Sequence, residues 1–159
     1  MLTLPLPDHT SSEKRASLRI GSEPPHPTSR VVLIAERDQN VRALQSFFLD
    51  RAGFSTEFAD DGESALERGR LALPAAIVTE ILIPKIDGLT LCRRLRDDPV
   101  TRHVPVIVFS ILAAAARASD AGARAFLRKP IVESTFVAAV RLAISAQPSD
   151  VMEQQWTTR

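Results

Sequence analysis

Short apolar runs alternate with amphipathic stretches through the middle of the chain. The first run, 30–35 (RVVLIA), is apolar and rich in β-branched residues, which is typical of a strand buried on both faces. After it, Val41, Leu44 and Phe48 recur at helical spacing, and Gly53 is placed to end that helix. The opening of this region therefore predicts a strand followed by a helix.

The same alternation repeats four more times. Further strands are predicted at 54–59, 75–80, 104–110 and 124–128. The helices between and after them are predicted from a cap at Asp61 to about Leu71, then at 89–96, at 112–120, and in a last segment with Phe136, Val140 and Ile144 on one face.

Two helix starts depend on individual residues. Asp87-Gly88 follows Pro84 and predicts a turn in which Asp87 caps the third helix. Val132 stands where a polar cap is expected for the last helix, so that helix is predicted to begin later, at Ser134.

Five strands alternating with helices predict a doubly wound α/β fold, in which a five-stranded parallel sheet lies between two layers of helices as a three-layer sandwich. In such sheets the ligand site lies beyond the carboxyl ends of the strands. Those ends carry the candidate site residues, namely Glu36, Arg37, Glu80, Ser110 and Lys129.

The texture of the chain divides it into three parts. Residues 1–29 contain five prolines among Ser, Thr and charged residues, which predicts a disordered tail. Residues 30–146 form the predicted domain, and residues 147–159 are predicted to be a C-terminal tail.

Composition narrows the class of protein. The 159 residues carry 20 basic and 19 acidic side chains, so no basic surface for nucleic acid is predicted. No apolar run reaches the ~20 residues that span a bilayer, and the first residues do not resemble a signal peptide. A single cysteine, Cys92, is expected to be a buried apolar side chain, and three scattered histidines suggest no metal site. A cytoplasmic protein is expected.

Four local patterns resemble the receiver domain of bacterial response regulators over about residues 30–146. They are VVLIAERDQNVRAL, PAAIVTEILIPKIDGLTLCRRLRDDP, PVIVFS and AGARAFLRKP. The resemblance implies a flavodoxin-like fold. It also implies two acidic residues after the first strand that help to hold Mg²⁺, an Asp after the third strand that accepts a phosphoryl group, and a Ser/Thr and a Lys that contact that group.

This chain departs from the family's pattern at one of the two acidic positions and at the phosphoacceptor. The acidic pair corresponds to Glu36 and Arg37, and the phosphoacceptor corresponds to Glu80. Arg37 is permanently charged, so it should repel a cation and could form an ion pair with Glu36 or Glu80 in its place. The alternative is that the Arg37 side chain points into solvent. The longer side chain of Glu80 should bring its carboxylate within reach of Ser110 and Lys129. Mg²⁺ binding is therefore expected to be lost, and no cofactor is expected. The alternative is weak binding of a metal by Glu36 with help from Asp38.

Further positions bear on how the domain would transmit a signal to a partner protein. Ser110 and Lys129 keep the family's residue types, and Phe126 occupies the position of the switch aromatic without a tyrosine hydroxyl. The interval between Ser110 and Lys129 is shorter than the family's pattern, which predicts a short fourth helix or a short loop before it.

The preferred interpretation is a stand-alone pseudo-receiver, a non-enzymatic interaction module that acts without phosphorylation. Two versions remain open: a Glu80–Lys129 pair that imitates the phosphorylated state, or an ion pair centred on Arg37 that stabilises an inert scaffold. The alternative is a working phosphoacceptor, at Glu80 or a displaced Asp38, supplied by a histidine kinase. A third interpretation, an unrelated enzyme or cofactor protein on the same fold, is disfavoured because no glycine-rich phosphate loop follows the first strand.

Few residues follow the predicted domain, so output is expected through contact with another protein. The resemblance suggests a histidine kinase, another regulator or a signalling scaffold, and neither nucleic acid nor membrane. A homodimer through the face of the fourth helix, fifth strand and fifth helix is a further candidate.

Overall fold

The computed structural model describes residues 30–146, and the predicted tails at 1–29 and 147–159, with His9, His26 and Trp156, lie outside the described residues. Five strands alternate with five helices in this part of the chain. The strands are β1 (Val31–Ala35), β2 (Ser55–Ala59), β3 (Ala76–Thr79), β4 (Val106–Ser110) and β5 (Ala125–Arg128). The helices are α1 (Gln39–Arg51), α2 (Gly62–Ala72), α3 (Gly88–Asp97), α4 (Ala115–Asp120) and α5 (Glu133–Ser145).

The strands form one parallel sheet in the order β2-β1-β3-β4-β5. This order confirms the predicted doubly wound sheet, because the chain first moves to one side of β1 and then returns to the other. The crevice at this switch lies between the carboxyl ends of β1 and β3.

Alternate residues of the central strands pack into two separate apolar clusters, one on each face of the sheet. One cluster takes Leu33 and Ile77 with apolar residues of α2, α3 and α4. The other takes Ile34 and Val78 with apolar residues of α1 and α5. The central strands are apolar throughout because both faces of the sheet are buried. Helices cover each face, which confirms the predicted three-layer sandwich.

Acidic side chains begin three of the helices. Asp38, Asp61 and Asp87 each accept hydrogen bonds from backbone N–H groups in the first turn of the helix that follows. Asp61 and Asp87 were both predicted as caps. At the other end of α1, Gly53 has φ +89°, a conformation that glycine adopts without the strain that a side chain would cause.

The prediction for the start of α5 was wrong. The helix begins at Glu133, and Val132 occupies the cap position in an extended conformation without a side-chain hydrogen bond. The first turn forms because Phe136 N–H donates to the Val132 carbonyl and the Phe136 side chain is buried, so packing replaces the missing cap. The fourth helix is short, with six residues, as the interval predicted.

No helix within residues 30–146 is long and apolar enough to cross a membrane. Cys92 is buried in α3, as predicted for an apolar side chain. Burial raises the pKa of its thiol to about 12.

Candidate functional site

The register of the sheet brings four of the five predicted site residues together. Ala35 pairs with Thr79, so Glu36 and Glu80 leave β1 and β3 side by side, and Glu80 N–H donates to the Ala35 carbonyl at 2.9 Å. On the next pair of strands, Lys129 N–H donates to the Ser110 carbonyl at 3.0 Å. The predicted convergence at the carboxyl edge is confirmed for these four residues.

The Glu80 carboxylate is buried, and both of its oxygens have partners. Oε1 accepts the Ser110 hydroxyl, the Ile81 N–H at 2.6 Å and the Leu82 N–H at 3.3 Å. Oε2 lies 2.8 Å from the Lys129 ammonium. The side chain thus folds back over the start of its own loop and reaches β4 and β5. The predicted reach toward Ser110 and Lys129 is confirmed.

The Lys129 ammonium bridges two buried carboxylates. Its Nζ lies 2.7 Å from Glu36 Oε2 and 2.8 Å from Glu80 Oε2, and also 5.5 Å from the centroid of the Phe109 ring. Burial by itself would lower the pKa of Lys129. Hydrogen bonds and attraction from Glu36 and Glu80 outweigh that effect, so the pKa lies above its ordinary value. The ammonium therefore stays charged at neutral pH.

Glu36 is fixed on its other side by backbone. Its Oε1 accepts the Asp38 N–H at 3.0 Å, and its carbonyl accepts the Arg42 guanidinium. The same guanidinium donates to the Ala59 carbonyl at 3.1 Å. This arrangement ties the ends of β1 and β2 to α1 and holds the Glu36 carboxylate toward Lys129.

Arg37 takes the alternative position predicted for it, in solvent, and not the position of an ion pair with Glu36 or Glu80. Its side chain is exposed, and it forms no ion pair with any residue of 30–146. Glu36 points into the crevice and is 3% exposed, whereas the chain bends at Arg37 and the Arg37 side chain lies in solvent. The pair between Lys129 and Glu80 was predicted, whereas the pair between Lys129 and Glu36 was not. Both form because β5 delivers the Lys129 side chain between the two carboxylates.

Asp38, the other acidic residue of this loop, is used for local structure. Its Oδ1 accepts the N–H groups of Asn40 and Val41 at 2.8 and 3.3 Å. Such a cap stabilises the first turn of α1. No group of three or more His, Cys, Asp and Glu side chains within residues 30–146 is arranged to hold a metal ion.

The mouth of the site contains residues that the sequence analysis missed. A depression of about 380 Å³ is lined by the charged residues above together with Leu82 and Ile111. These two side chains are 56% and 59% exposed. Leu82 lies two positions after Glu80, and Ile111 lies one position after Ser110. Their closeness to predicted site residues was the sequence signal that could have placed them at the mouth of the site.

The loop after β3 is held by close packing that the sequence indicated only as a turn. Gly88 donates to the Ile81 carbonyl, and a Cβ at Gly88 would lie 2.1 Å from the Glu80 carbonyl oxygen. Only glycine permits this approach of α3 to the loop. The loop N–H groups that bind Glu80 are therefore positioned by Gly88.

Phe126, predicted as the switch aromatic, lies on β5 opposite Val108. It is half-buried and packs against the apolar cluster beneath α2, α3 and α4. Its neighbours are consistent with a packing role, and its role as a switch stays a prediction.

Several known proteins are similar in sequence to this chain. The response regulator PleD of Caulobacter vibrioides is 34% identical over 117 residues, which are 72% of this chain and 26% of PleD. The gliding motility regulatory protein of Myxococcus xanthus is 33% identical over 129 residues, covering 79% of this chain and 16% of that protein. The chain thus spans about a quarter or less of the length of these two relatives.

Solved structures agree with the sequence matches. A chain described as a response regulator from Chloroflexus aurantiacus superimposes with a TM-score of 0.71 at 30% identity, covering 74% of this chain and 99% of that one. The receiver domain of the sensor histidine kinase PA1611 from Pseudomonas aeruginosa, which holds magnesium in its active-site cleft, gives a TM-score of 0.68 with the same coverage. At 20% identity this second likeness shows the fold alone.

The profile of the response regulator receiver domain matches residues 32–141. That segment includes every strand and helix end that contributes to the site, and it is more than half of the 159 residues. Receiver domains of this kind interact with histidine kinases and other proteins of two-component signalling. The chain therefore belongs to the response regulator receiver domain family.

Proposed function

We propose that this receiver works without phosphorylation, as a protein-interaction module whose site is held in one state by Glu80. The observation that carries the proposal is the set of contacts around the Glu80 carboxylate. A serine hydroxyl, a lysine ammonium and two backbone N–H groups all donate to it. Of the two versions that the sequence leaves open, these contacts support imitation of the phosphorylated state.

The donors around Glu80 are the types that an added phosphoryl group needs. In the family pattern, the hydroxyl after the fourth strand and the lysine after the fifth contact that group, and here both bind the glutamate directly. The extra methylene of Glu80 moves a negative charge outward, to where Ser110 and Lys129 meet it. Charge-assisted hydrogen bonds of this kind can order a loop as phosphorylation does.

The same contacts make Glu80 a poor nucleophile. A carboxylate that attacks phosphorus must offer a free lone pair in line with the leaving group. Both Glu80 oxygens are occupied, and the carboxylate is 6% exposed. Displacing Lys129 from it would leave a buried carboxylate without its counter-charge, which is costly.

The donor set does not fit Mg²⁺ as it is arranged. This small cation needs octahedral oxygen ligands at short distance. Here the Lys129 ammonium already lies between the Glu36 and Glu80 carboxylates, Asp38 is engaged at the start of α1, and a guanidinium at Arg37 replaces an acidic ligand. We therefore also propose that this domain does not bind magnesium.

The partner we propose is another signalling protein, either a histidine kinase, a second regulator or a scaffold. The apolar Leu82 and Ile111 at the mouth of the site, beside the exposed Arg37, support contact with a protein surface rather than with a small substrate. Neither an enzymatic activity nor binding to nucleic acid is part of this proposal.

The test is to incubate the protein with Mg²⁺ and acetyl phosphate and to measure its intact mass. The matched variant is Arg37→Asp with Glu80→Asp, which restores the residue types of the family. We expect no phosphoryl adduct on the native chain and an adduct on the double variant. Thermal unfolding with and without Mg²⁺ should show stabilisation of the double variant only.

A phosphoryl adduct on the native chain that is lost in Glu80→Gln would contradict the proposal. The chain would then be a working phosphoacceptor, the alternative drawn from the sequence. An adduct on the native chain that survives Glu80→Gln and is lost in Asp38→Asn would place the acceptor at Asp38 and would contradict the proposal equally.

A further inference from the structure

A groove of about 780 Å³ runs between α1 and α5 on the outer surface of the domain, and no residue of the site described above lines it. Its apolar lining is supplied by Phe48 on α1 and by Val137, Ala138 and Leu142 on α5. A volume of this size lies within the range of pockets that bind small molecules, so the groove has room for several side chains.

Large apolar side chains in and beside the groove are exposed. Leu142 is 51% exposed, and Phe47, one residue before the lining, is 54% exposed. At the rim, Arg51 pairs with Glu133 at 3.5 Å. Arg141 donates to the Ala52 carbonyl and forms no ion pair within residues 30–146. The exposed apolar lining favours an apolar occupant, and the Arg141 guanidinium at the rim, which has no carboxylate partner within residues 30–146, favours an acidic one.

The segment that follows α5 has that chemistry. Residues 150–156 read DVMEQQW, with Val151 and Met152 between two acidic residues and the only tryptophan of the chain at the end. We propose that this segment docks in the α1–α5 groove of the same molecule, with the Trp156 indole against the apolar lining and Asp150 and Glu153 facing the arginines at the rim.

The geometry of the chain allows this docking. Ser145 lines one end of the groove, and the described chain leaves α5 at the next residue, Ala146. From Ala146, an extended chain reaches Trp156 within about 33 Å. A helix of 13 residues such as α5 is about 20 Å long, so the segment can turn back and run along the whole groove. Pro148 favours that turn because it cannot continue the helix.

Trp156 suits the groove chemically and also reports on it. A tryptophan buries a large apolar area and keeps one N–H donor that needs a partner. The hydroxyls of Ser134 and Ser145 lie in the lining and can accept it. Because the chain has one tryptophan and no tyrosine, its intrinsic fluorescence reports on Trp156 alone.

The experiment measures tryptophan emission and acrylamide quenching in the full chain. We expect a blue-shifted emission and weak quenching in the native protein. Ala138→Glu places a charge in the lining at an exposed helix position, so it should shift the emission to longer wavelength and raise the quenching to that of the unfolded chain. The matched control is Leu71→Glu, which alters an 80% exposed residue on α2 and should change neither quantity.

A second pair of variants guards against loss of folding. Arg141→Glu should shift the emission in the same direction, and addition of Glu153→Arg should shift it back, with unchanged far-ultraviolet circular dichroism throughout. An exposed Trp156 in the native chain would overturn the proposal, as would an emission that Ala138→Glu leaves unchanged. Burial of Trp156 that vanishes on dilution would assign the groove to a second copy and overturn intramolecular docking. None of these variants alters the site at Glu80, so the outcome is independent of the proposed function.

Discussion

The Lys129 ammonium lies 2.8 Å from Oε2 of Glu80, and this contact links the third strand to the fifth across the carboxyl edge of the sheet. The two residues are distant in sequence and come from strands that are not neighbours, since β4 lies between them. Ser110, at the end of β4, donates to the other oxygen of the same carboxylate. The Glu80 side chain, which directly follows β3, therefore connects the carboxyl ends of β3, β4 and β5.

Lys129→Met should lower the free energy of unfolding by about 3 kcal/mol at neutral pH, because it leaves the buried carboxylates of Glu36 and Glu80 without a counter-charge. The folded-state pKa of Lys129 is raised above its ordinary value of 10.5, so the stabilisation is present below pH 10.5 and is lost as the pH rises through the folded-state value. The difference between native protein and variant should therefore shrink in strong alkali. Urea unfolding at several pH values checks both points. Lys85→Met, at a lysine that is 54% exposed, is the control and should cost much less.

Cys92 should be unreactive toward thiol reagents in the folded protein at pH 8. Burial raises the pKa of its thiol from 9.0 to about 12, so the thiolate forms much more readily in the unfolded chain. Between these values the thiol contributes a loss of stability of about 1.4 kcal/mol per pH unit as the pH rises. Urea unfolding between pH 8 and 11 should show that Cys92→Ala lacks this component. A native thiol that reacts as fast as the denatured one would contradict the assignment.

Gln45→Leu should raise the free energy of unfolding by about 1 kcal/mol. Gln45 is 1% exposed, and its Oε1 is a buried acceptor without a hydrogen-bond partner in the described part of the chain. Replacing an unsatisfied amide by an apolar side chain of similar size removes the desolvation cost. Gln39→Leu, at the exposed start of the same helix, is the matched control and should have little effect. A loss of stability in Gln45→Leu would contradict the prediction.

Val132→Ser should stabilise the protein by about 1 kcal/mol. Val132 precedes α5 with φ −118° and ψ 122°, the backbone conformation of a helix cap, but its side chain cannot accept a hydrogen bond. A serine hydroxyl there can accept a backbone N–H of the first turn. Val132→Ala, which removes the same 56% exposed side chain without adding an acceptor, separates the cap from the loss of valine. Equal midpoints of thermal unfolding for the two variants would contradict the prediction.

Local sequence determined the elements and their order. The β-branched runs at β1, β3 and β4 and the helical spacing of Val41 and Phe48 required only the periods of strand and helix, which are properties of a few consecutive residues. The caps at Asp61 and Asp87 were predicted for the same reason, since a cap binds N–H groups two or three residues away. Val132 was the exception, because the burial of Phe136 stabilises a helix start that local preference disfavours.

The sequence by itself determined which residues end the strands of this protein, and therefore which side chains can meet at the carboxyl edge. Only the tertiary structure decided which of them pair. From the sequence Arg37 was a candidate to neutralise Glu36 or Glu80, and Lys129 was a candidate to neutralise Glu80 alone. Strand order and side-chain direction decided that Lys129 neutralises both carboxylates. Arg37 leaves the crevice for solvent, whereas β5 extends Lys129 into it. The physical reason is that an ion pair depends on distances of a few ångströms between segments far apart in sequence, which strand packing sets and no local pattern records.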